Sequence, residues 1–308
     1  MPEPLLTIIT PTLNRAPFLE EAIRSVLAQN VADVEHLVID AMSTDGTVEM
    51  LARYPHLRVL REPDAGLYDG INKGLRLARG QFVGLLNSDD LYAPGALAAV
   101  LAAFRAPEVE VVTGGAEFFL SEADGAERVL STFTGREALE LSLHNVLLGV
   151  ALINARFFRR ELRARTGEMD LRYRIAADRE LLLRMALARP REVILPVPVY
   201  RYRQHAGSLT INGQERSAAT YRAEHVELAE KHLADAGLTA ADRWILRTLH
   251  SRESAALAVR ALQAGQWRGA ASWMRRGCAV QATWPVAFGR WLGGDLWQRC
   301  RGTHRPAV

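Results

Sequence analysis

The stretch "QFVGLLNSDDLY" (81–92) sets an apolar run against two adjacent carboxylates. Phe82 to Leu86 are too few for a helix and read as a short buried strand. Asn87-Ser88-Asp89-Asp90 is turn chemistry, and Pro94 stands where a following helix would begin its first turn. Asp89 and Asp90 are therefore expected at the carboxyl end of a buried strand. In open α/β sheets that is the edge where ligands bind.

Working outward, the first half of the chain alternates strand and helix patterns. Strand-like runs fall at 5–10, 34–40 and 57–62, each short, apolar and partly β-branched. Between them, 15–29 places Phe18, Ala22, Val26 and Leu19, Ile23, Leu27 at helical spacing, while 43–54 and 66–80 carry helix-start and helix-stop residues. This rhythm implies βαβ units and an α/β fold with a mostly parallel sheet flanked by helices. Beyond about 109 the pattern loosens. "VEVVTGGAEFF" and "RVLSTF" read as strands joined by a turn at Asp124-Gly125, and a helix begins near Ala177. "EVILPVPVYRYR" (192–203) is a strand interrupted by prolines, expected at a sheet edge. From 215 the chain reads as helices only, with a break within 234–243, so the expected domains are 1–214, divided near 105, and a helical extension over 215–308. No internal repeat or low-complexity segment is present.

With 308 residues, 49% of them hydrophobic, the chain can bury a sizeable core. Its two cysteines, Cys278 and Cys300, imply neither a disulfide framework nor a cysteine metal site, and a reducing cytoplasm fits. The opening "MPEPLLTIIT" lacks the basic region of a signal peptide. Nothing reaches the roughly 20 uninterrupted apolar residues of a membrane span; the best candidate, 279–298, contains Pro285, Arg290 and Asp295. The net charge of +3 conceals an asymmetry: residues 241–308 hold eleven arginines and no lysine against three acids. All six tryptophans (Trp244, Trp267, Trp273, Trp284, Trp291 and Trp297) lie in that basic tail.

Four polar points end the apolar strands: Thr10 to Asn14, Asp40, Glu62-Pro63-Asp64, and Asn87 to Asp90. In a parallel sheet these ends share one edge and converge. Such an acidic edge suits a diphosphate held through a hard divalent cation, because Mg²⁺ or Mn²⁺ takes carboxylates together with substrate phosphates. A solvated turn with a helix cap is the bland alternative for Asp89-Asp90.

"ITPTLNR", "HLVIDAMSTDGT", "REPDAGLYDGINKGLRLARG" and "FVGLLNSDD" occur in this order, and together they resemble the nucleotide-binding half of a family-2 inverting glycosyltransferase with the GT-A fold. The likeness is strong over about 5–105 and looser over 106–210. It implies a metal-dependent enzyme moving a sugar from a nucleoside-diphosphate donor, UDP- or GDP-linked, to a hydroxyl acceptor in surface polysaccharide, O-antigen or lipid-linked glycan assembly. It implies further that Pro11, Thr12 and Asn14 line base and ribose, that Asp40 reads the base, and that Asp64 and Lys73 lie near the phosphates. Asp89 would meet the ribose and Asp90 the metal. Two positions depart from the family pattern: Ala41 replaces a second aspartate, and Asn87 stands where an acid is common.

Inverting transfer needs a general base facing the anomeric carbon. "YRIAADRELLLRM" is similar to the family segment that carries it, which makes Asp178 the candidate; a helix cap is the alternative role. His205 in "YRYRQHAGSLT" is either a further metal ligand or a solvent-exposed loop residue. Arg201 and Arg203 are phosphate contacts or, by default, solvated charges on an edge strand.

Two readings of the tail stay open. One is peripheral attachment to anionic lipid at the inner face of the plasma membrane, through tryptophan and arginine. The other is a helical bundle packed on the catalytic domain or on a second subunit in a homodimer. No nucleic-acid motif accompanies the charge. A nucleotidyltransferase on the same sheet, or an inactive docking scaffold, are the rival functions, although "PTLNRAPF" lacks the glycine-rich loop that the former wants.

Overall fold

In the computed structural model, residues 3–121, 126–205, 215–286 and 288–289 are described. The chain divides into two compact units, Met1–Asn212 and Gly213–Val308.

The first unit is built on one sheet. Strand β1 (Leu6–Thr12) lies parallel between β2 (Val34–Asp40) and β4 (Phe82–Leu85), and β3 (Arg58–Arg61) extends it beyond β2. Helices α1 (Ala16–Leu27), α2 (Thr47–Leu51) and α3 (Leu67–Leu77) make the crossovers. All seven residues of β1 are buried, as a continuously apolar parallel strand requires. Helix α1 buries Leu19, Ala22, Ile23 and Val26, while Leu27 is exposed. Helix α3 runs against β1 so closely that a Cβ on Gly74 would lie 2.3 Å from Ile9 Cγ2. Only glycine permits that approach.

Beyond β4 the sheet turns mixed. The short β5 (Leu91–Tyr92) leads to α4 (Ala96–Ala103); β6 (Val111–Ser121) and β7 (Glu127–Phe133) form an antiparallel pair. The turn expected at Asp124-Gly125 lies outside the described residues. Helices α5 (Arg136–Leu139) and α6 (Leu143–Leu148) precede β8 (Arg156–Arg159), which inserts antiparallel between β4 and β6. A 3₁₀ turn and α7 (Arg163–Thr166) then lead to α8 (Ala177–Leu187) and β9 (Glu192–Gln204). The full order is β3-β2-β1-β4-β8-β6-β9-β5, with β7 paired to β6.

Over 192–199, which holds both prolines, β9 pairs along β6 alone, as the expected edge strand would; at Tyr200 and Arg201 the two-residue β5 adds an antiparallel partner on the other side. The register shifts between Gly114 and Gly115, where Leu195 and then Pro198 are the successive partners. A bulge thus absorbs Pro196 and Val197, so the prolines cost few ladder bonds. The principal core gathers Leu6, Ile8, Leu86, Leu97, Val112, Phe157 and Tyr200 from both halves of the sheet.

The second unit consists of α9 (Glu215–Leu233), α10 (Ala240–Gln263) and α11 (Trp267–Val280). A capping box between Thr239 and Asp242 starts α10. Trp284 is 2% exposed, packs with Ala255 and Ala258, and donates its indole N–H to Ser254 Oγ at 2.7 Å. Trp273 packs partly buried against the same cluster, whereas Trp244 and Trp267 are 61% and 71% exposed. Trp291, Trp297 and Cys300 lie outside the described residues. Among those described, no helix is long and apolar enough to cross a membrane.

Candidate active site

The carboxyl ends of β2, β1 and β4 are neighbours, and register places Thr12 beside Asp40. Adjacent strands lie about 4.8 Å apart, so the loops after β2 and β4 are separated by about 10 Å across β1. The polar points at 10–14, 40 and 87–90 therefore meet on one edge.

Each expected residue takes a definite place there. Asp40 is fully buried; its carboxylate accepts from the Ser43 backbone N–H (3.1 Å to Oδ1) and from Arg61 Nε (3.2 Å to Oδ2). Asn14 has φ of +53°, an unusual value for a residue other than glycine. It ties two loops together: its N–H donates to Ser43 Oγ at 2.8 Å, and its Oδ1 accepts from Thr44 N at 2.9 Å. Thr12 is 5% exposed, and its hydroxyl has no hydrogen-bond partner among the described residues. A buried hydroxyl without a partner is costly, which suits one that waits for a ligand. Asp64 Oδ1 accepts from Gly66 N at 2.8 Å, and a Cβ on Gly70 would meet both Asp64 Oδ2 (3.0 Å) and Pro11 Cβ (3.4 Å). Pro11 and Asp64 thus flank the same glycine.

Lys73 lies against the 62–64 loop that carries Asp64. Its Nζ bonds the Pro63 carbonyl and Glu62 Oε1 (2.9 Å), with Asp69 at 3.7 Å. The ammonium stabilises the acidic 62–64 loop, and the Glu62 bond raises its pKa.

The two aspartates after β4 diverge. Asp90 is 1% exposed; Oδ1 accepts from Arg203 N (2.7 Å), and Oδ2 accepts from Tyr200 Oη (2.6 Å) and Asn87 Nδ2 (3.1 Å). Burial, reinforced by the Asp89 charge, pushes its pKa up to about 7. Both oxygens are committed to the fold, so Asp90 does not present the free carboxylate expected of a metal ligand. Asn87, where an acid is common, donates to Asp90; an acid there would repel it. Asp89 instead is the carboxylate that meets His205, with Oδ2 at 3.0 Å from Nε2. The His205 ring stacks on Phe18 from α1, centroids 4.7 Å apart. Ala206-Gly207-Ser208, which follows His205, lies outside the described residues.

Arg201 and Arg203 are not solvated edge charges. Arg201 pairs with Glu117 (2.8 Å) and Glu127 (2.7 Å). Arg203 is 5% exposed and binds the Asp89 carbonyl (3.1 Å), Ser121 Oγ (2.6 Å) and Glu21. It clamps the aspartate turn to β6 and α1.

Asp178 sits in the first turn of α8 and is half-buried. Oδ1 accepts from Arg179 N at 2.7 Å, and Tyr68 Oη stands 3.4 Å from the same oxygen. Burial raises its pKa, against the pull of Arg179 and of these hydrogen bonds. Helix α3 thereby joins the two halves. Tyr68 reaches the lead-in of α8, and buried Asn72 holds Met169 by two bonds of 2.9 Å, Nδ2 to the carbonyl and Oδ1 from the N–H.

A family model described as glycosyl transferase family 2 matches residues 7–164. The chain belongs to glycosyl transferase family 2. An uncharacterized glycosyltransferase of Mycobacterium tuberculosis is 32% identical over 190 residues, covering 60% of this chain and 70% of that one. A PGL/p-HBAD biosynthesis glycosyltransferase of Mycobacterium bovis is 30% identical over 191 residues, with the same coverage. Among solved structures, Staphylococcus aureus TarS 1–349 in complex with UDP-GlcNAc aligns with a TM-score of 0.70 at 18% identity, over 92% of this chain and 86% of that one. The chain spans 43% of a longer TarS chain. The mannosyltransferase PcManGT of Pyrobaculum calidifontis, in complex with GDP-Man and Mn²⁺, aligns with a TM-score of 0.55 at 21% identity, over 93% and 86% of the two chains. The nucleotidyltransferase and scaffold readings give way to a family-2 glycosyltransferase on an α/β sheet of GT-A type.

Sequence reasoning for this family-2 enzyme passed over Phe18, Arg61, Tyr68, Asn72 and Tyr200. One signal was available. Asn72 is a polar residue on the buried face of α3, with Ile71, Gly74 and Leu75, and a buried amide needs partners.

Proposed function

We infer that the chain transfers a sugar from a nucleoside-diphosphate donor to a hydroxyl acceptor with inversion, Asp178 being the general base. The observation that carries this reading is the approach of Asp178 to Tyr68 Oη, 3.4 Å, which brings a carboxylate from the second half of the unit to the helix that follows β3. Asp178 takes the acceptor hydroxyl proton; the acceptor oxygen bonds the anomeric carbon as the bond to the β-phosphate oxygen breaks, releasing the nucleoside diphosphate. A carboxylate whose pKa burial has raised accepts a proton better near neutrality. The TarS and PcManGT structures are complexes with UDP-GlcNAc and GDP-Man, which supports a UDP- or GDP-sugar donor.

A divalent ion would be held by Asp89 and His205. The test of fit is their chemistry: one carboxylate oxygen and one imidazole nitrogen 3.0 Å apart, on a turn whose other aspartate is occupied. Among the described residues no group of three or more such ligands occurs, so diphosphate and water oxygens would complete the shell, as Mg²⁺ commonly requires. When bound, the ion would neutralise charge on the departing diphosphate. In this reading Asp89 takes the ligand place that the resemblance gave to Asp90, and His205 keeps its own.

The acceptor belongs to surface polysaccharide or lipid-linked glycan assembly in this reading, supported by the name of the Mycobacterium bovis relative. Exposed Trp244 and Trp267 on arginine-bearing helices support peripheral attachment at the cytoplasmic membrane face. A thermal-shift panel of nucleoside diphosphates and nucleotide sugars, with and without Mn²⁺, tests the donor class. Stabilisation by one nucleotide only with metal supports the reading; indifference to every nucleotide overturns it.

A further inference from the structure

Helix α3 carries a side chain that the transfer reaction, as derived above, does not yet use. Tyr68 lies in its first turn, after the strand that follows Asp40. Its hydroxyl donates to the Ile175 carbonyl at 2.6 Å, a firm bond, and stands at the longer distance of 3.4 Å from Asp178 Oδ1. Ile175 is three residues ahead of Asp178, in the segment that enters α8. Four residues along α3, Asn72 fixes Met169 in the same approach segment. The approach is thus pinned at two points by one helix, and that helix is itself seated on β1 through Gly74. Among the described residues, Arg179 N and Tyr68 Oη both approach Oδ1 of Asp178, which leaves Oδ2 for an acceptor hydroxyl.

We propose that Tyr68 is a positioning residue for the general base: it fixes the lead-in of α8 through Ile175 and steers Asp178 so that Oδ2 faces the acceptor. The proposal rests on Asp178 being that base. Placement of a catalytic group matters because a displacement of about 1 Å can cost a hundredfold in rate. Tyr68 also connects the two halves chemically, since it sits on the donor-side helix and acts on the acceptor-side carboxylate.

The charged and titratable groups around Asp178 define the expected pH response. Arg179 follows it on α8 and is anchored through Nη1 to the Leu147 carbonyl of α6 at 3.1 Å. Glu180 is closed off by Arg184 on α8 (2.6 Å), which also holds the Glu168 carbonyl. His144 of α6 contacts Asn145. From α3 comes the Tyr68 hydroxyl. Its hydrogen bond favours the charged carboxylate, so removing it makes Asp178 harder to ionise.

The experiment measures nucleoside-diphosphate release from UDP- and GDP-sugars, with water or a hydroxyl acceptor, for the full chain, Tyr68→Phe and Asp178→Asn. Thermal shift by the nucleoside diphosphate is recorded in parallel as a check of fold and donor site. Tyr68→Phe is expected to lower kcat about tenfold, to leave KM for the donor and the nucleotide shift within about twofold of the parent, and to move the acid limb of the kcat profile to higher pH. If Asp178→Asn abolishes release while Tyr68→Phe matches the parent in kcat and pH profile, the positioning role is overturned and the base assignment stands. Equal losses of kcat and nucleotide affinity in Tyr68→Phe mark a merely structural role and overturn it too. If Asp178→Asn retains release, the base assignment fails, and this proposal fails with it.

Discussion

Asp90 and Asp178 are both carboxylates whose ionisation burial disfavours, yet their surroundings differ in one decisive respect. Asp90 has both oxygens bonded, to Tyr200, Asn87 and Arg203, so its proton affinity is absorbed into a closed network. Among the described residues, Asp178 is held by one oxygen only. The difference teaches that a shifted carboxylate is a candidate for chemistry only when part of it remains uncommitted. The turn after β4 uses Asp90 as an internal brace, while the aspartate before it, Asp89, meets His205.

The largest break in this comparison should come from Asp178→Asn. Nucleoside-diphosphate release is expected to fall about 10³-fold, within the range of a lost general base, while the nucleotide thermal shift persists. The sign of its stability effect follows from linkage. A carboxyl whose pKa is raised on folding contributes stability that is present below its unfolded pKa and is lost as pH rises through its folded pKa. The neutral amide escapes that loss, so the variant should melt no lower than the parent at neutral pH. A clear drop in melting temperature would place Asp178 beside Asp90 as a brace. By the same shift, the acid limb of the parent's kcat profile should lie above the ordinary carboxylate range near 4.

Asp90→Leu should do the reverse, costing about 3 kcal/mol in urea unfolding because the Tyr200 hydroxyl and the Arg203 N–H lose their acceptor in a buried site. Asp89→Ala should cost less than about 1 kcal/mol, since its side chain is partly exposed, and should abolish any metal-dependent nucleotide shift. Equal stability losses from the two would erase the distinction. Asn72→Ala sharpens the comparison from the other side. Removing two buried hydrogen bonds to Met169 should cost about 2 kcal/mol and slow release through the loosened approach to α8, with nucleotide affinity retained. The smallest effect belongs to Thr12→Val. Its hydroxyl bonds nothing among the described residues, so stability should change by less than about 0.5 kcal/mol, while nucleotide Kd rises several-fold if that hydroxyl meets the ligand.

The same contrast explains what was legible. The β1 to β4 rhythm and the common edge could be read because strand and helix periods are local properties of the chain. The antiparallel β8, only four residues long, left no pattern strong enough to place it at the centre of the sheet. The prolines of 192–203 marked the one-sided pairing of 192–199, but the bulge opposite Gly114 and Gly115, more than eighty residues away, and the pairing of 200–201 with β5 depend on contacts distant in the chain.

By itself the sequence determined the parallel half of the sheet, the family and the set of acidic residues at one edge, since each is carried by residue type and spacing along the chain. Only the tertiary structure decided which aspartate is spent and which is available. That choice rests on hydrogen-bond partners, Tyr200 and Arg203 for one and His205 for the other, which lie more than a hundred residues away and reach the turn only when β9 threads between β6 and β5.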